Sequence, residues 1–208
     1  MEIFRILDQH LIYEQINDRR EAMTQDYIKK LEEIMDDTVV DISKKSTEQV
    51  NDFFATFNIK FDEYYAYFLQ NHGNDYIKDE YVFRCQGNCD VNEGIEYEVD
   101  MFFGLEGKTG NLVDELKRYE QTLPKEVFSI ADMPGGDLVC MQKETGKIYF
   151  WFHEENEENL KFVAESFKNF IMCFEKATQK ERVAEPINFS INPKMDKLLR
   201  EAAKKFQK

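Results

Sequence analysis

Three short β-like runs separated by turn residues dominate the hydrophobic pattern between residues 125 and 153. They cover residues 127–131, 138–141 and 147–152. This spacing predicts a meander of three antiparallel strands, with turns at 134–137 and 144–147 where proline and glycine favour tight reversals. The last run is apolar on both faces, which indicates a central strand covered on each side, so a helix must lie nearby.

Helical periodicity precedes and follows this meander. Ser46 and Gln49 form a capping box that opens a helix over about 47–57, and a second helix is predicted over about 62–72. Gly73 is placed to take a left-handed conformation after the C-cap of that second helix. These two helices should form a compact pair.

Two further helices are predicted on either side of the meander. A short amphipathic helix over 111–123 is capped by Asn111 and stopped by Pro124. Apolar residues from Leu160 to Phe174 recur at helical spacing, which predicts a long helix with its apolar side over the sheet.

Residues 95–105 alternate apolar and acidic positions before becoming wholly apolar, which indicates a strand; residues 81–83 form another candidate. The acidic face consists of Glu96, Glu98 and Asp100, and like charges on one strand face repel one another. This face is either an edge guarded against aggregation or a docking surface. A second candidate surface is the acidic loop of Glu154, Glu155, Glu157 and Glu158, and both sets are equally compatible with ordinary solvated surface.

The chain divides into residues 1–45, a polar helical extension; 46–178, an α+β domain; and 179–208, an extension ending in a basic amphipathic helix over 194–208. The N-terminal part should pack on the domain or on a partner helix. The basic helix most simply packs on an acidic face of its own chain, and membrane contact is the weaker interpretation because its apolar side is thin.

The formal net charge of −14 and the sequence pI of about 4.7 argue against nucleic acid as a direct ligand. Such a surface favours a basic partner, although the same charge also simply keeps a protein soluble. The 42% hydrophobic and 14% aromatic content indicates a folded core rather than a disordered chain.

Neither a signal peptide nor an apolar run of membrane-spanning length is recognisable, which predicts a cytoplasmic protein. The four cysteines are therefore expected to be reduced thiols. Cys140 and Cys173 lie in apolar runs and should be core residues, whereas Cys85 and Cys89 could supply half of a zinc site.

A catalytic role rests on His153, which could form an acid/base or metal cluster with Glu154, Asp132 and Asp137. The preferred interpretation is that His153 makes hydrogen bonds that hold the loop at a strand end. Glycine-rich phosphate loops and the common hydrolase and calcium-binding motifs are absent from the sequence. We therefore predict no cofactor, catalytic residue or metal ligand, with an enzyme that uses His153 as the weakest alternative and metal binding by Cys85 and Cys89 left open.

The order of several short motifs resembles the SUKH superfamily, which includes bacterial immunity proteins and the fungal Smi/Knr cell-wall regulators. The motifs are Phe68-Leu69 to Gly73, Phe102-Phe103-Gly104, Val127 to Ala131, Gly135 to Cys140, Gly146 to Glu154 and Ser166 to Phe170. The sequence departs from the family pattern at Lys60-Phe61, where Leu-Pro is common, and at Phe152, where Asp often precedes the strand-end histidine.

The resemblance implies an α+β domain with a central, mostly antiparallel sheet flanked by helices. Its structural residues here would be Gly73, Gly104, Gly136, Asp137, Trp151, His153 and Phe167. It also implies a protein that binds and neutralises a cognate toxin domain, often a nuclease or deaminase, without enzymatic activity. The alternative within the same resemblance is an intracellular regulatory or scaffold protein of the Smi/Knr type.

Overall fold

The meander predicted over residues 125–153 forms three strands of a four-stranded antiparallel sheet. The computed structural model describes residues 25–36, 45–155 and 158–178 of the 208-residue chain. The helices within them are α1 (Gln25–Ile34), α2 (Thr47–Thr56), α3 (Glu63–Asn71), α4 (Leu112–Arg118) and α5 (Phe167–Met172). The strands are β1 (Met35–Asp36), β2 (Tyr76–Ile77), β3 (Tyr81–Phe83), β4 (Val127–Asp132), β5 (Leu138–Gln142), β6 (Ile148–Trp151), β7 (Leu160–Ala164) and β8 (Phe174–Lys176). The predicted α+β class is confirmed.

Strand β6 lies inside the sheet, whose order is β4-β5-β6-β7. It pairs with β5 through Val139 and Phe150 and with β7 through Tyr149 and Phe162. Phe150 is fully buried on one face and Tyr149 is half-buried on the other. The apolar character of both faces therefore marked a central strand, as predicted.

The long helix predicted from Leu160 to Phe174 is wrong. Residues Leu160–Ala164 form strand β7, and the helix begins only after Ser166, whose Oγ accepts a hydrogen bond from the Asn169 amide at 3.2 Å. Beyond Met172 the chain pairs with β3 as strand β8. The spacing of the apolar residues is compatible with the period of a helix and with that of a strand. The segment forms a strand because the backbone groups along the open edge of β6 need hydrogen-bond partners.

Aromatic rings from α2, α3 and α5 cover one face of the sheet. The ring of Phe128 on β4 lies 6.4 Å from that of Phe53 and 6.3 Å from that of Tyr65, measured between centroids. Tyr65 in turn lies 4.9 Å from Phe167, which is fully buried. These edge and tilted contacts are the geometry that aromatic pairs prefer, so the helix pair predicted at 47–72 forms one wall of the core.

Helix α1, from the predicted N-terminal extension, packs on the domain. Its apolar stripe of Tyr27, Leu31 and Ile34 is fully buried, and the helix lies against α5. The Tyr27 hydroxyl donates a hydrogen bond to the Tyr64 carbonyl oxygen at 3.0 Å. Of the two alternatives left by the sequence, this helix therefore takes its own domain as partner.

Residues 95–105 do not form one continuous strand, contrary to the prediction. They make separate bridges through Tyr97 with Phe83, Met101 with Tyr76, and Phe102 with Ala131. Of the apolar positions that alternate with the acidic ones, Ile95 is 44% exposed, whereas Val99 and Met101 are buried. The segment crosses from one strand partner to another, so it cannot hold a single register.

The caps predicted from sequence are present. The Ser46 Oγ accepts from the Gln49 amide at 3.2 Å while the Gln49 Oε1 accepts from the Ser46 amide at 2.9 Å, a complete capping box. Asn111 caps α4 through the Val113 amide at 3.0 Å. Helix α4 ends at Arg118, earlier than predicted, and turns carry the chain on to Pro124.

Gly73 does not adopt the predicted left-handed conformation, which Asn74 takes instead with φ of 75°. Gly73 and Gly104 are needed for a close backbone approach: a Cβ on Gly73 would lie 3.1 Å from the Cα of Gly104. A Cβ on Gly104 would lie 2.1 Å from the Oδ1 of Asn74, whose amide also donates to the Gly110 carbonyl oxygen at 3.0 Å. The two glycines let the end of α3 touch the 104–110 loop.

Three predictions concern residues outside the described ranges. The first part of the N-terminal extension and the basic helix at 194–208 lie there, as does Glu157 of the acidic loop. The division at residues 45 and 178 stays a prediction.

Candidate partner-binding surface

The acidic face predicted on residues 95–105 separates into two parts. Glu98 and Asp100 are exposed, whereas Glu96 is half-buried and forms an ion pair with the Arg84 guanidinium. Arg84 also lies 3.7 Å from the Glu175 carboxylate on β8. The charge of Glu96 is thus balanced within the domain, while those of Glu98 and Asp100 face solvent.

Three carboxylates, those of Asp132, Glu98 and Asp79, lie close enough to Asp100 for their charges to act on it; we refer to these four residues as the Asp100 cluster. Its geometry comes from backbone pairing, because the Asp100 amide donates to the Asp132 carbonyl oxygen at 3.0 Å. The Asp132 Oδ1 accepts from the Met101 amide at 3.0 Å, which holds that side chain beside the segment. Acidic side chains from three separate parts of the chain thereby meet on one surface.

Two members of the cluster, Asp100 and Asp132, lie in surroundings that disfavour their ionised forms. Partial burial, followed by the charges of Asp132, Glu98 and Asp79, raises the pKa of Asp100 above its ordinary value. Burial likewise raises the pKa of Asp132. Among the described residues, no lysine or arginine nitrogen lies within 4.0 Å of these four carboxylates. A cationic partner would therefore relieve repulsion that the fold leaves uncompensated.

Helix α4 extends this acidic region through Glu115, which is 4% exposed. Burial raises the pKa of Glu115, and the charges of Asp132 and Asp114 act in the same direction. Arg118 opposes the shift through an ion pair of 2.9 Å with the Glu115 carboxylate. The ion pair lies within α4 itself and joins the buried Glu115 carboxylate to the largely exposed Arg118 side chain.

The acidic loop after β6 is described only in part, since Glu157 lies outside the described residues. Glu154 is highly exposed, and its carboxylate lies 3.8 Å from the His153 ring. Glu155 forms an ion pair of 3.6 Å with Lys161, and Glu158 takes a positive φ of 52°. Compared with the Asp100 cluster, this loop has more of its charge balanced locally.

His153 and Asp137 meet at the end of the sheet. The Asp137 Oδ1 accepts a hydrogen bond from the His153 amide at 3.0 Å and lies 2.9 Å from its ring Nδ1. The Pro134–Gly136 turn brings Asp137 there, with φ of 85° at Gly135 and 96° at Gly136. These contacts tie the turn before β5 to the end of β6.

The other candidate partner of that histidine, Asp132, is bonded to Met101 instead of to His153. Trp151, the remaining motif residue on this strand, is 6% exposed and packs against Tyr119 at 6.4 Å between ring centroids. Within the described ranges, no group of three or more His, Cys, Asp or Glu side chains is arranged to hold a metal ion.

The prediction of four reduced cysteines is wrong for one pair. Cys85 and Cys89 form a disulfide across the 86–88 loop, so they do not act as thiolate ligands of a half zinc site. Cys140 is free and fully buried, and burial raises the pKa of its thiol well above the ordinary value. Cys173 is also free, at the end of α5.

Sequence reasoning missed Asp79 and Glu115 and assigned Asp132 only to the histidine cluster. Asp79 lies in a turn before β3, and Glu115 faces inward from α4. The one signal for Asp132 was its place at the end of a predicted strand. Strand pairing with the segment of Asp100 was needed to bring these residues together.

Comparison with known proteins identifies a family that this chain matches and a similar bacterial protein. The model of the SMI1 / KNR4 family (SUKH-1) matches residues 45–173, more than half of the chain. A similar protein is the SPbeta prophage-derived uncharacterized protein YokK of Bacillus subtilis (strain 168), 33% identical over 72 residues. That alignment covers 34% of this chain and 38% of the relative's length. A helix both long and apolar enough to cross a membrane does not occur in the described part of the chain.

Proposed function

Because this chain belongs to the SMI1 / KNR4 family (SUKH-1), we propose that it is an immunity-type protein that binds and neutralises a cognate toxin domain. It acts in the cytoplasm by protein–protein contact and performs no chemistry of its own. The toxin domain is basic where the two proteins meet, as expected of a nuclease or of a deaminase acting on nucleic acid.

The observation that carries this proposal is the Asp100 cluster. The charges of Asp132, Glu98 and Asp79 act unfavourably on ionised Asp100, and these four carboxylates have no basic partner within 4.0 Å among the described residues. Carboxylates gathered on the surface without a basic neighbour support a cationic partner at this position, because such a partner would offset their charge. Glu154, Glu155, Glu157 and Glu158 form a second candidate contact, while Glu96 contributes less because Arg84 already balances its charge.

The test begins with a toxin domain encoded beside this gene. Expression of that domain alone should stop growth, and co-expression of this protein should restore it. A complete absence of rescue with every neighbouring toxin would contradict the proposal. If pull-down from cells without such a gene returns a stable intracellular partner, the regulatory role of the Smi/Knr type takes its place.

A matched pair of variants locates the surface. The triple variant D79N/E98Q/D100N should weaken toxin binding by at least about tenfold, because each substitution removes attraction to the basic partner. The control E48Q/D52N/E144Q removes the same charge from exposed positions on α2 and the β5–β6 turn. Thermal melts of both variants would show whether they are folded. Equal binding by the two triple variants would reject the Asp100 cluster as the contact.

A further inference from the structure

A cavity of about 570 Å³ opens beside β4, between α4 and the end of α2. Its size falls within the range of roughly 300–1,000 Å³ that small-molecule sites occupy. Its apolar wall is built by Phe57, Leu116, Tyr119, Leu123, Pro124, Val127 and Phe128. Such a wall suits an apolar body rather than a hydrated ion.

The charged residues lining the cavity are mostly basic, which is unusual for a chain of net charge −14. Lys117, Lys125 and Lys143 line it together with a single acid, Glu120. Lys117 has the Asp114 carboxylate at 4.0 Å. Within the described ranges, no carboxylate lies within 4.0 Å of the Lys125 or Lys143 ammonium group. These two lysines are available to an anion.

Ser129 provides a third, independent feature. It lines the cavity from β4 and is fully buried, and its hydroxyl finds no hydrogen-bond partner among the described residues. Nearly all buried hydroxyls in proteins are hydrogen-bonded, so the unpaired Ser129 hydroxyl is an uncommon feature of this part of β4. The register shift between Ser129 and Ala131 occurs at this position in the strand.

We propose that this cavity binds a small organic anion with an apolar chain or ring, such as a carboxylate on a hydrocarbon chain. The aromatic and aliphatic wall holds the apolar part, and the ammonium groups of Lys125 and Lys143 bind the carboxylate at the mouth. The site is separate from the proposed toxin contact and does not depend on it.

Decanoate and decanol are suitable probes, because they share a chain and differ in charge. Trp151, the single tryptophan of the chain, packs against the lining residue Tyr119 and reports occupancy by its fluorescence. Decanoate, kept below its micellar concentration, should bind saturably and about tenfold more tightly than decanol. Amide shifts in NMR spectra should be confined to the lining residues.

The variant K125Q/K143Q should lose about tenfold in decanoate affinity while its decanol affinity stays the same. The control K29Q/K108Q removes the same charge from exposed positions that do not line the cavity, and it should bind decanoate like the parent protein. Non-saturable decanoate binding, equal affinities for the two probes, or equal behaviour of the two double variants would each overturn the proposal.

Discussion

The Asp100 cluster and the lysine-lined cavity lie near each other, yet their chemistry is opposite. Helix α4 contributes to both: Glu115 faces Asp132, whereas Leu116 and Lys117 line the cavity. The Asp100 cluster is a group of carboxylates on the surface. The cavity is a concave apolar surface that lysine side chains also line. The net charge of −14 describes neither region, because Glu115 of α4 interacts with Asp132 whereas Lys117 of the same helix lines the cavity. Net charge therefore does not predict which ligand either region would bind.

The largest expected effect comes from removing the core that supports both regions. Phe167 contacts Phe102, next to the Asp100 cluster, and Tyr65, which packs on the cavity residue Phe128. F167A should lower the free energy of unfolding by about 3–5 kcal/mol, because it leaves a cavity among fully buried rings. Urea denaturation measures this change.

The control for that experiment is F61A, since Phe61 is 51% exposed and should cost less than about 1 kcal/mol. If F167A is no more destabilising than F61A, the two regions do not share the core described above.

A smaller change in affinity is expected when each variant is tested with the ligand of the other region. D79N/E98Q/D100N should change decanoate affinity by no more than about twofold, and K125Q/K143Q should change toxin affinity by no more than the same factor. Titration of each variant with the other region's ligand measures both. A tenfold change in either of these affinities would show that α4 couples the two regions. The Asp100 cluster and the cavity would then be parts of one site.

The smallest effect concerns stability and pH at Asp100. Because the folded-state pKa of Asp100 is raised, its ionised form destabilises the fold at neutral pH. D100N should therefore raise Tm near neutral pH. The gain should shrink as pH falls through the raised pKa and vanish below the ordinary aspartate value of about 3.9, where the parent side chain is protonated in both states.

The substitution D52N on the exposed face of α2 is the comparison for that pH series. A Tm of D100N at or below that of the parent protein at neutral pH would mean that Asp100 is not under electrostatic strain. In that case a cationic partner would have no repulsion to relieve at the Asp100 cluster.

Much of the fold could be predicted where neighbouring residues in the sequence favour a single conformation. The turn at Pro134–Gly136, the capping box at Ser46 and the two-faced apolar strand β6 each carry chemistry that suits only one conformation. The segment Leu160–Ala164 carried spacing compatible with both helix and strand, and only the open edge of β6 resolved it. Gly73 failed as a prediction for a related reason, because its role depends on Gly104, some thirty residues away along the chain.

The candidate surface was less predictable than the fold. Glu98 and Asp100 were found from their alternation with apolar residues, but the same pattern included Glu96, whose charge Arg84 balances. Asp79, Asp132 and Glu115 come from distant parts of the chain and carry no local signature. The cavity left no trace in the sequence either, since its lining joins α2, α4 and β4.

The amino-acid sequence by itself determined the order of most elements, the caps and turns that bound them, the central position of β6 and the overall acidity. Those properties depend on neighbouring residues and on composition, which are written in the chain directly. Tertiary structure alone decided that Leu160–Ala164 is a strand, which acidic residues gather around Asp100, and where lysines gather against an apolar wall. The physical reason is that backbone hydrogen bonding and charge interactions act between residues brought together only by folding.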